Sequence, residues 1–338
     1  MIGGKSVKRI RIAQIGIGHD HAAGIFADMA GMPDLFEIAG WYVPEEEKTA
    51  FAGNMTALQG YPELTLEAIL EDPSIQAVTV ETEEKNLCRF ALLAAKRGKH
   101  VHMDKPGGMD PQEFETLVQE AKRQGTVLHL GYMYRYYPAV QELLQLAQDG
   151  EYGRLLSVEG QMNCWHNPEK RRWIAGLPGG MMFFLGCHML DLVVQFMGMP
   201  LRVTPLNQRT GRDGVDAADY AMALLHYPSG PSLIKACDTE KGGFGRRQLV
   251  LCFERCTVEL KPMELLFADG DVEATVTVFK NGVKVPGVSR TLRWHGRSEP
   301  MMRGFAAIAA GEKENPWTPD YELRLYQLLR QCCSETDA

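Results

Sequence analysis

No CxxC pair occurs in the chain, although it holds eight cysteines: Cys88, Cys164, Cys187, Cys237, Cys252, Cys256, Cys332 and Cys333. Cys252 and Cys256 are spaced CxxxC, with no second pair to complete a zinc site. A zinc ribbon is thereby excluded, and reduced, mostly buried thiols in a cytoplasm are expected. Long apolar runs are missing too. None reaches the roughly 18 residues of a membrane span, so no membrane partner is expected. Basic blocks are absent, and the net charge is -7, which argues against a nucleic-acid partner. Internal repeats and low-complexity segments are also lacking. The first residues, MIGGKSVKRIRIAQIGIG, are short and basic and alternate into glycines, so they read as a first strand and not as a signal peptide.

What is present is ordinary globular material. Hydrophobic residues make up 45% and charged residues 23% of the 338 positions. That length is too great for one ordinary core and suits two domains. The 17 methionines fit soft core filling.

The first third alternates two periods. Residues 10–15 (IRIAQI), 36–43 (FEIAGWYV), 77–80 (AVTV), 100–103 and 126–130 read as strands. Residues 21–30, 65–70, 86–97 and 111–124 read as helices, the last with Lys122 and Arg123 at its end, as a helix dipole favours. This alternation predicts an α/β domain with a parallel, doubly wound sheet. After Gly131 the rhythm changes. Helices are expected at 138–148, from about Gly186 to 197, and at 321–333. Strands are expected at 155–162, 220–226, 232–238, 247–253, 257–261 and 273–280, with Asn281-Gly282 as a hairpin turn. The second half therefore reads as a mostly antiparallel sheet with helices on one face.

The first strand runs into Gly16-Ile17-Gly18-His19-Asp20-His21. Strand, GxG and helix together form the place where a dinucleotide diphosphate sits. The third glycine of GxGxxG is replaced by His21. An acid to hold the ribose hydroxyls is also missing at the end of the second strand, which closes Trp41-Tyr42-Val43-Pro44 before Glu45. NAD and NADP both remain open. His19 and His21 lie two apart and cannot share one helix face, so a lining of the cofactor loop is expected of them and no metal.

Lys105, in HVHMDKPGG, stands at the carboxyl end of the 100–103 strand, the edge where open α/β sheets bind ligands. It can exchange the proton of a substrate hydroxyl, or it can pair with Asp104. In GGMMFFLGCHMLD, His188 and Asp191 are one helical turn apart. His188 is a candidate acid or base, or else a core histidine. Asp191 reads as a brace for a neighbour. Tyr134 and Arg135 follow the last strand of the first domain, and Arg135 could grip a carboxylate or form a salt bridge.

The strand–GxG start, Asp104-Lys105-Pro106, Gly131-Tyr132-Met133-Tyr134-Arg135-Tyr136 and GG…GCHxxD, in this order, resemble the Gfo/Idh/MocA oxidoreductases over nearly the whole chain. The resemblance implies a Rossmann dinucleotide-binding domain over 1–133. It implies a C-terminal α+β domain over 134–338, with a large open, mostly antiparallel sheet that binds substrate and forms oligomers. It further implies NAD or NADP as cofactor, and a sugar- or polyol-like small molecule as the hydride partner. A homodimer or homotetramer through the second sheet is expected, since an uncovered apolar face would otherwise be exposed. By the same resemblance Lys105 and His188 are catalytic. Gly16, Ile17, Gly18, His19, His21, Val43, Thr82, Asp104, Lys105 and Pro106 approach the cofactor. Tyr134, Arg135, Trp173, Phe184 and His188 approach the substrate.

Departures from the family pattern stand beside this. The acid common in D-x-G-x-H is Phe184 here, within the greasy run Met181, Met182, Phe183, Phe184. The loop Glu81-Thr82-Glu83-Glu84 is unusually acidic, and its side chains are expected to face solvent. Two further readings of the same scaffold are a non-catalytic nucleotide sensor and a glycosidase that keeps its NAD through a turnover.

Overall fold

The structure, a computed structural model, describes residues 9–280 and 287–334. The expected Asn281-Gly282 turn lies outside them. Two compact units are present. One holds the described residues up to Met133 together with Ser298–Tyr326, and the other holds Tyr134–Arg297 and the described residues from Gln327. A division at 133/134 with all of 134–338 in the second domain was read from the sequence; by packing, Ser298–Tyr326 joins the first unit.

In the first unit, β1 (Ile10–Ile15), α1 (Ala22–Gly31), β2 (Phe36–Tyr42), α2 (Glu45–Ala50), α3 (Leu66–Glu71), β3 (Ala77–Val80), α4 (Leu87–Lys96), β4 (His100–Met103), α5 (Pro111–Gln124) and β5 (Leu128–Leu130) follow in order. The five strands are parallel, in the order β2-β1-β3-β4-β5. A sheet covered on both faces needs continuous apolar strands, and Ile10, Ile12, Ala13 and Ile15 are all fully buried. Each isoleucine buried this way contributes about 1.5–3 kcal/mol. Local signals set the helix ends. The Thr65 side chain accepts from Ala68 N at 3.1 Å, Asp110 caps α5, and Gly125 ends it in the left-handed region at φ 65°. Strand order reverses between β1 and β3, so their carboxyl ends frame the crevice where such sheets bind ligands.

The second unit contains α6 (Pro138–Asp149), β6 (Leu155–Gln161), α7 (Pro168–Ala175), α8 (Cys187–Met197), β7 (Arg202–Pro205), β8 (Tyr220–Tyr227), β9 (Gly230–Cys237), β10 (Gln248–Phe253), β11 (Thr257–Leu260), β12 (Leu265–Leu266), β13 (Asp271–Phe279) and β14 (Val288–His295). The strands form one sheet ordered β12-β13-β11-β10-β6-β9-β8-β7, with β14 on β13. Its pairings are antiparallel except β6 with β9. Strand burial alternates, as in β10 and β11, because one face packs under α6 and α8. Helices α9 (Glu299–Ala309) and α10 (Pro319–Cys332) complete the chain. All eight cysteines are free thiols.

Candidate functional site

In the first unit the glycine loop leaves β1 with no room for side chains. A Cβ on Gly16 (φ +86°) would lie 2.3 Å from Thr82 Cγ2, and one on Gly18 would lie 2.5 Å from Glu83 N. Buried Gln14 braces the loop, donating from Nε2 to Gly16 O at 3.1 Å and Ala22 O at 3.3 Å. Asn54 Nδ2 donates to Ile17 O at 2.9 Å. The N–H groups of Ile17 and Gly18 both donate to Glu47 Oε2 at 2.9 Å, and Glu83 N–H donates to Glu47 Oε1 at 3.0 Å. Three backbone donors thus converge on one carboxylate, which is the geometry of an anion nest.

Glu47 is the residue that sequence reasoning missed. It named Glu45 as the first acid beyond the second strand, and Glu45 is exposed. Glu47 is fully buried in the first turn of α2. A signal for that helix was present: Pro44 followed by three glutamates is a helix start. Burial raises the Glu47 carboxyl above its ordinary range, and the three N–H donors oppose that rise. A dinucleotide diphosphate is also an anion, so the nest fits one, with the Glu47 carboxylate standing in its place.

The acidic loop after β3 corrects another expectation. Glu81 and Glu84 do not face solvent; both are buried. The backbone holds Glu81 inward, since His19 N–H donates to Glu81 O at 3.0 Å and Glu81 N–H to Ile15 O at 2.8 Å. Burial and the neighbouring Asp104 charge hold the Glu81 carboxyl well above its ordinary range.

Asp104 gathers the two loop histidines. Its Oδ2 lies 2.8 Å from His21 Nδ1 and 3.0 Å from His19 Nδ1. Burial would raise the Asp104 carboxyl, but the two imidazoles outweigh it and hold it well below the usual carboxylate range. Burial lowers His21. Behind them, His102 Nδ1 meets His129 Nδ1 at 2.7 Å, and Phe305 of α9 packs on both rings. Burial brings His102 down to about 4. Lys105 is buried at the end of β4, its backbone N–H donates to Asp104 Oδ1 at 2.7 Å, and its peptide bond to Pro106 is cis. Gly16, Ile17, Gly18, His19, His21, Thr82, Asp104, Lys105 and Pro106 therefore line the carboxyl edge of β1, β3 and β4, while Val43 is buried just past β2.

In the second unit, the GG…GCHxxD segment makes one π-turn over Met182–Gly186 before α8. Such turns are frequent at functional sites. Gly180 (φ +54°) is obligatory there, since its Cβ would stand 2.4 Å from Ala218 O. His188, on the first turn of α8, is buried with its ring edge-on to Tyr134, centroids 5.1 Å apart. Phe184 packs edge-on to Trp173 at 5.3 Å, and Lys170 Nζ sits 3.6 Å over the Trp173 ring. Met181, Met182 and Phe183 are wholly buried core. Arg135 is gripped by Asp191, with Nε 2.9 and 3.0 Å from its two oxygens and a second guanidinium nitrogen at 2.8 Å. The Tyr134 hydroxyl belongs to a buried cluster in which Glu264 accepts from Tyr134, from Tyr137 at 2.8 Å, from Arg247 at 2.6 Å and from Arg297 at 2.9 Å.

A glycine-loop anion nest at the reversal point of a parallel sheet defines a dinucleotide-type Rossmann unit. Residues 10–132 match "Oxidoreductase family, NAD-binding Rossmann fold", and residues 140–256 match the "GFO/IDH/MocA C-terminal domain". The chain belongs to the GFO/IDH/MocA oxidoreductase family, and its first unit is the family's NAD-binding domain. It is 28% identical over 164 residues to scyllo-inositol 2-dehydrogenase (NADP(+)) of Bacillus subtilis, covering 48% of this chain and 46% of that protein. It is 27% identical over 168 residues to trans-1,2-dihydrobenzene-1,2-diol dehydrogenase of Mus musculus, covering 48% and 49%. The chain spans about half the length of these curated relatives. A solved structure, a 3-ketoreductase from Actinomadura kijaniata with NADP and TDP-benzene, shares the fold at a TM-score of 0.78 and 17% identity, covering 95% of this chain and 96% of that one. Among the described residues, no helix is long and apolar enough to cross a membrane.

Proposed function

We propose that the chain is an NAD-dependent dehydrogenase acting on a hydroxyl-bearing carbon of a sugar, polyol or related small molecule. One observation carries the reading: three backbone N–H groups converge on an anion at the carboxyl edge of a parallel sheet. The cofactor, when bound, supplies the hydride acceptor or donor. The backbone of Gly16, Ile17 and Gly18 holds its diphosphate, with Val43, Thr82 and Pro106 beside it. Lys105 takes the proton of the substrate hydroxyl, and His188 is the second proton-handling group. Tyr134 and Trp173 contact substrate. Arg135 is assigned to positioning, because Asp191 already occupies its guanidinium fork.

A relative named as an inositol dehydrogenase supports the polyol class. That relative is named with NADP, whereas the Glu47 carboxylate beyond β2 favours NAD here, since a 2′-phosphate would meet its charge. A cytoplasmic location suits eight free thiols. A homodimer or homotetramer through the second sheet suits the exposed Leu265, Leu266, Phe267 and Val288, and sedimentation equilibrium tests it.

The internal carboxylate in the nest also favours a second reading, a sensor that does not turn over. Titration with NADH and NADPH, followed by a turnover screen on polyols and sugars, separates the two. Binding with turnover supports the dehydrogenase. Binding without turnover supports the sensor, and no binding of either nucleotide sinks both.

A further inference from the structure

The geometry points to a site for a first-row divalent metal ion formed by His19, His21 and Asp104 beside the glycine loop. One ligand atom from each of the three lies within 4.8 Å of the others. Both Nδ1 atoms already face the same oxygen, Asp104 Oδ2, at 3.0 and 2.8 Å. Two donors on a tetrahedral zinc-type ion stand about 3.3 Å apart, given metal–nitrogen bonds of about 2.0–2.1 Å. Each histidine nitrogen therefore needs to part from Asp104 Oδ2 by only a few tenths of an ångström. Two imidazoles and one carboxylate are a donor set that first-row ions such as zinc or iron(II) accept, and three protein donors leave a coordination position open for water or a ligand oxygen.

Buried polar groups without hydrogen bonds also crowd this loop. His19 is 1% exposed, and its Nε2 makes no hydrogen bond, although Glu84 Oε1 lies 3.5 Å away. Nearby, fully buried Glu81 has neither carboxyl oxygen in a hydrogen bond, and His102 Nε2, 3.7 Å from it, has none either. Buried polar groups are normally satisfied, so orphans clustered at one spot require an explanation. The surroundings are acidic as well, with Glu47, Glu84 and Asp104 all buried in the first unit. A divalent ion offsets such a carboxylate excess where a helix end alone does not. The lone spacing of His19 and His21 did not suggest this, because the third donor arrives from β4, over 80 residues further along the chain.

The test uses the full-length protein stripped with a chelator. Zn2+ binding is followed by calorimetry, Co2+ binding by visible absorption, and thermal unfolding is recorded with and without metal. The expected result is one equivalent of Zn2+ per chain, a rise in Tm, and a cobalt spectrum without a thiolate charge-transfer band. His21→Ala and Asp104→Asn should each weaken Zn2+ by at least about tenfold. His21 keeps a partly exposed ring, so His21→Ala serves as the deciding variant if Asp104→Asn does not fold. Absence of stoichiometric binding, a thiolate band, or wild-type affinity in His21→Ala would each overturn the site. None of these readouts depends on the dehydrogenase reading.

Discussion

Glu47 reaches the backbone of Gly18: Oε2 accepts the Gly18 N–H at 2.9 Å and the Ile17 N–H at the same distance. The chain thereby fills this N–H nest with a carboxylate of its own. Glu47→Gln replaces charge-assisted hydrogen bonds with neutral ones, a difference of about 1–2 kcal/mol, or roughly 5–30-fold in affinity. The variant should bind both nucleotides more tightly, and NADPH should gain more than NADH. Fluorescence titration of each nucleotide reads this directly. Weaker NADH binding in the variant would instead make Glu47 a ribose-hydroxyl acceptor.

Lys105 is the proton-handling group in the proposed reaction. Lys105→Ala should hold nucleotide affinity within a few-fold while turnover falls by about 10²–10⁴. Steady-state rates on whichever polyol proves active, set beside the binding titration, decide the matter. Unchanged turnover removes Lys105 from the chemistry.

Arg135 and Asp191 form a buried pair whose value lies in being complete. Burial raises the Asp191 carboxyl even though Arg135 pulls it down. Arg135→Met leaves that carboxylate uncompensated and should cost about 3–5 kcal/mol in urea unfolding. Adding Asp191→Leu should recover much of the loss, because the buried charge then disappears with its partner. A double variant as unstable as the single one would show that the pair does more than neutralise itself.

Glu264 predicts acid sensitivity. Burial would raise its carboxyl, but Arg297 and Arg247 outweigh burial and hold it at about 2, against an ordinary 4.5. A depressed folded pKa gives stability that is present above about pH 4.5 and is lost as pH falls towards 2. The amount is on the order of 3 kcal/mol. Glu264→Gln should be less stable at pH 7, and its difference from wild type should shrink across that window. Urea midpoints at stepped pH measure it.

The alternation of buried strands and amphipathic helices was legible from apolar period alone, and β1, β3, β4 and α5 fall on their expected residues. The strand β14 is not legible, because it pairs only with β13 and its sequence VSRTLRWH places Arg290 on the face that Val288, Leu292 and half-buried Trp294 share, which breaks the apolar alternation. Helix α7 announced itself through Asn167-Pro168, a cap and a first-turn proline, but its short apolar face hid it. Of the candidate site, the glycine loop and Lys105 could be placed because strand ends are local features. The burial of Glu47, Glu81 and Glu84 could not be read. Which way an acidic side chain turns is decided by N–H groups and imidazoles contributed by distant segments, and no spacing in the chain records that.

The return of Ser298–Tyr326 to the first unit has a bearing on synthesis. Phe305 closes over His102 and His129, and Tyr326 packs on Phe114 at 4.7 Å and donates its hydroxyl to Gly108 O at 3.0 Å. During translation the nucleotide-fold half emerges first, yet these pieces arrive only after the whole second sheet has been made. Until then its histidine pair and the DKPGG turn stay bare, as a half-built product that invites chaperones or self-association. A gene fragment ending near residue 133 would therefore be a poor substitute for the natural unit.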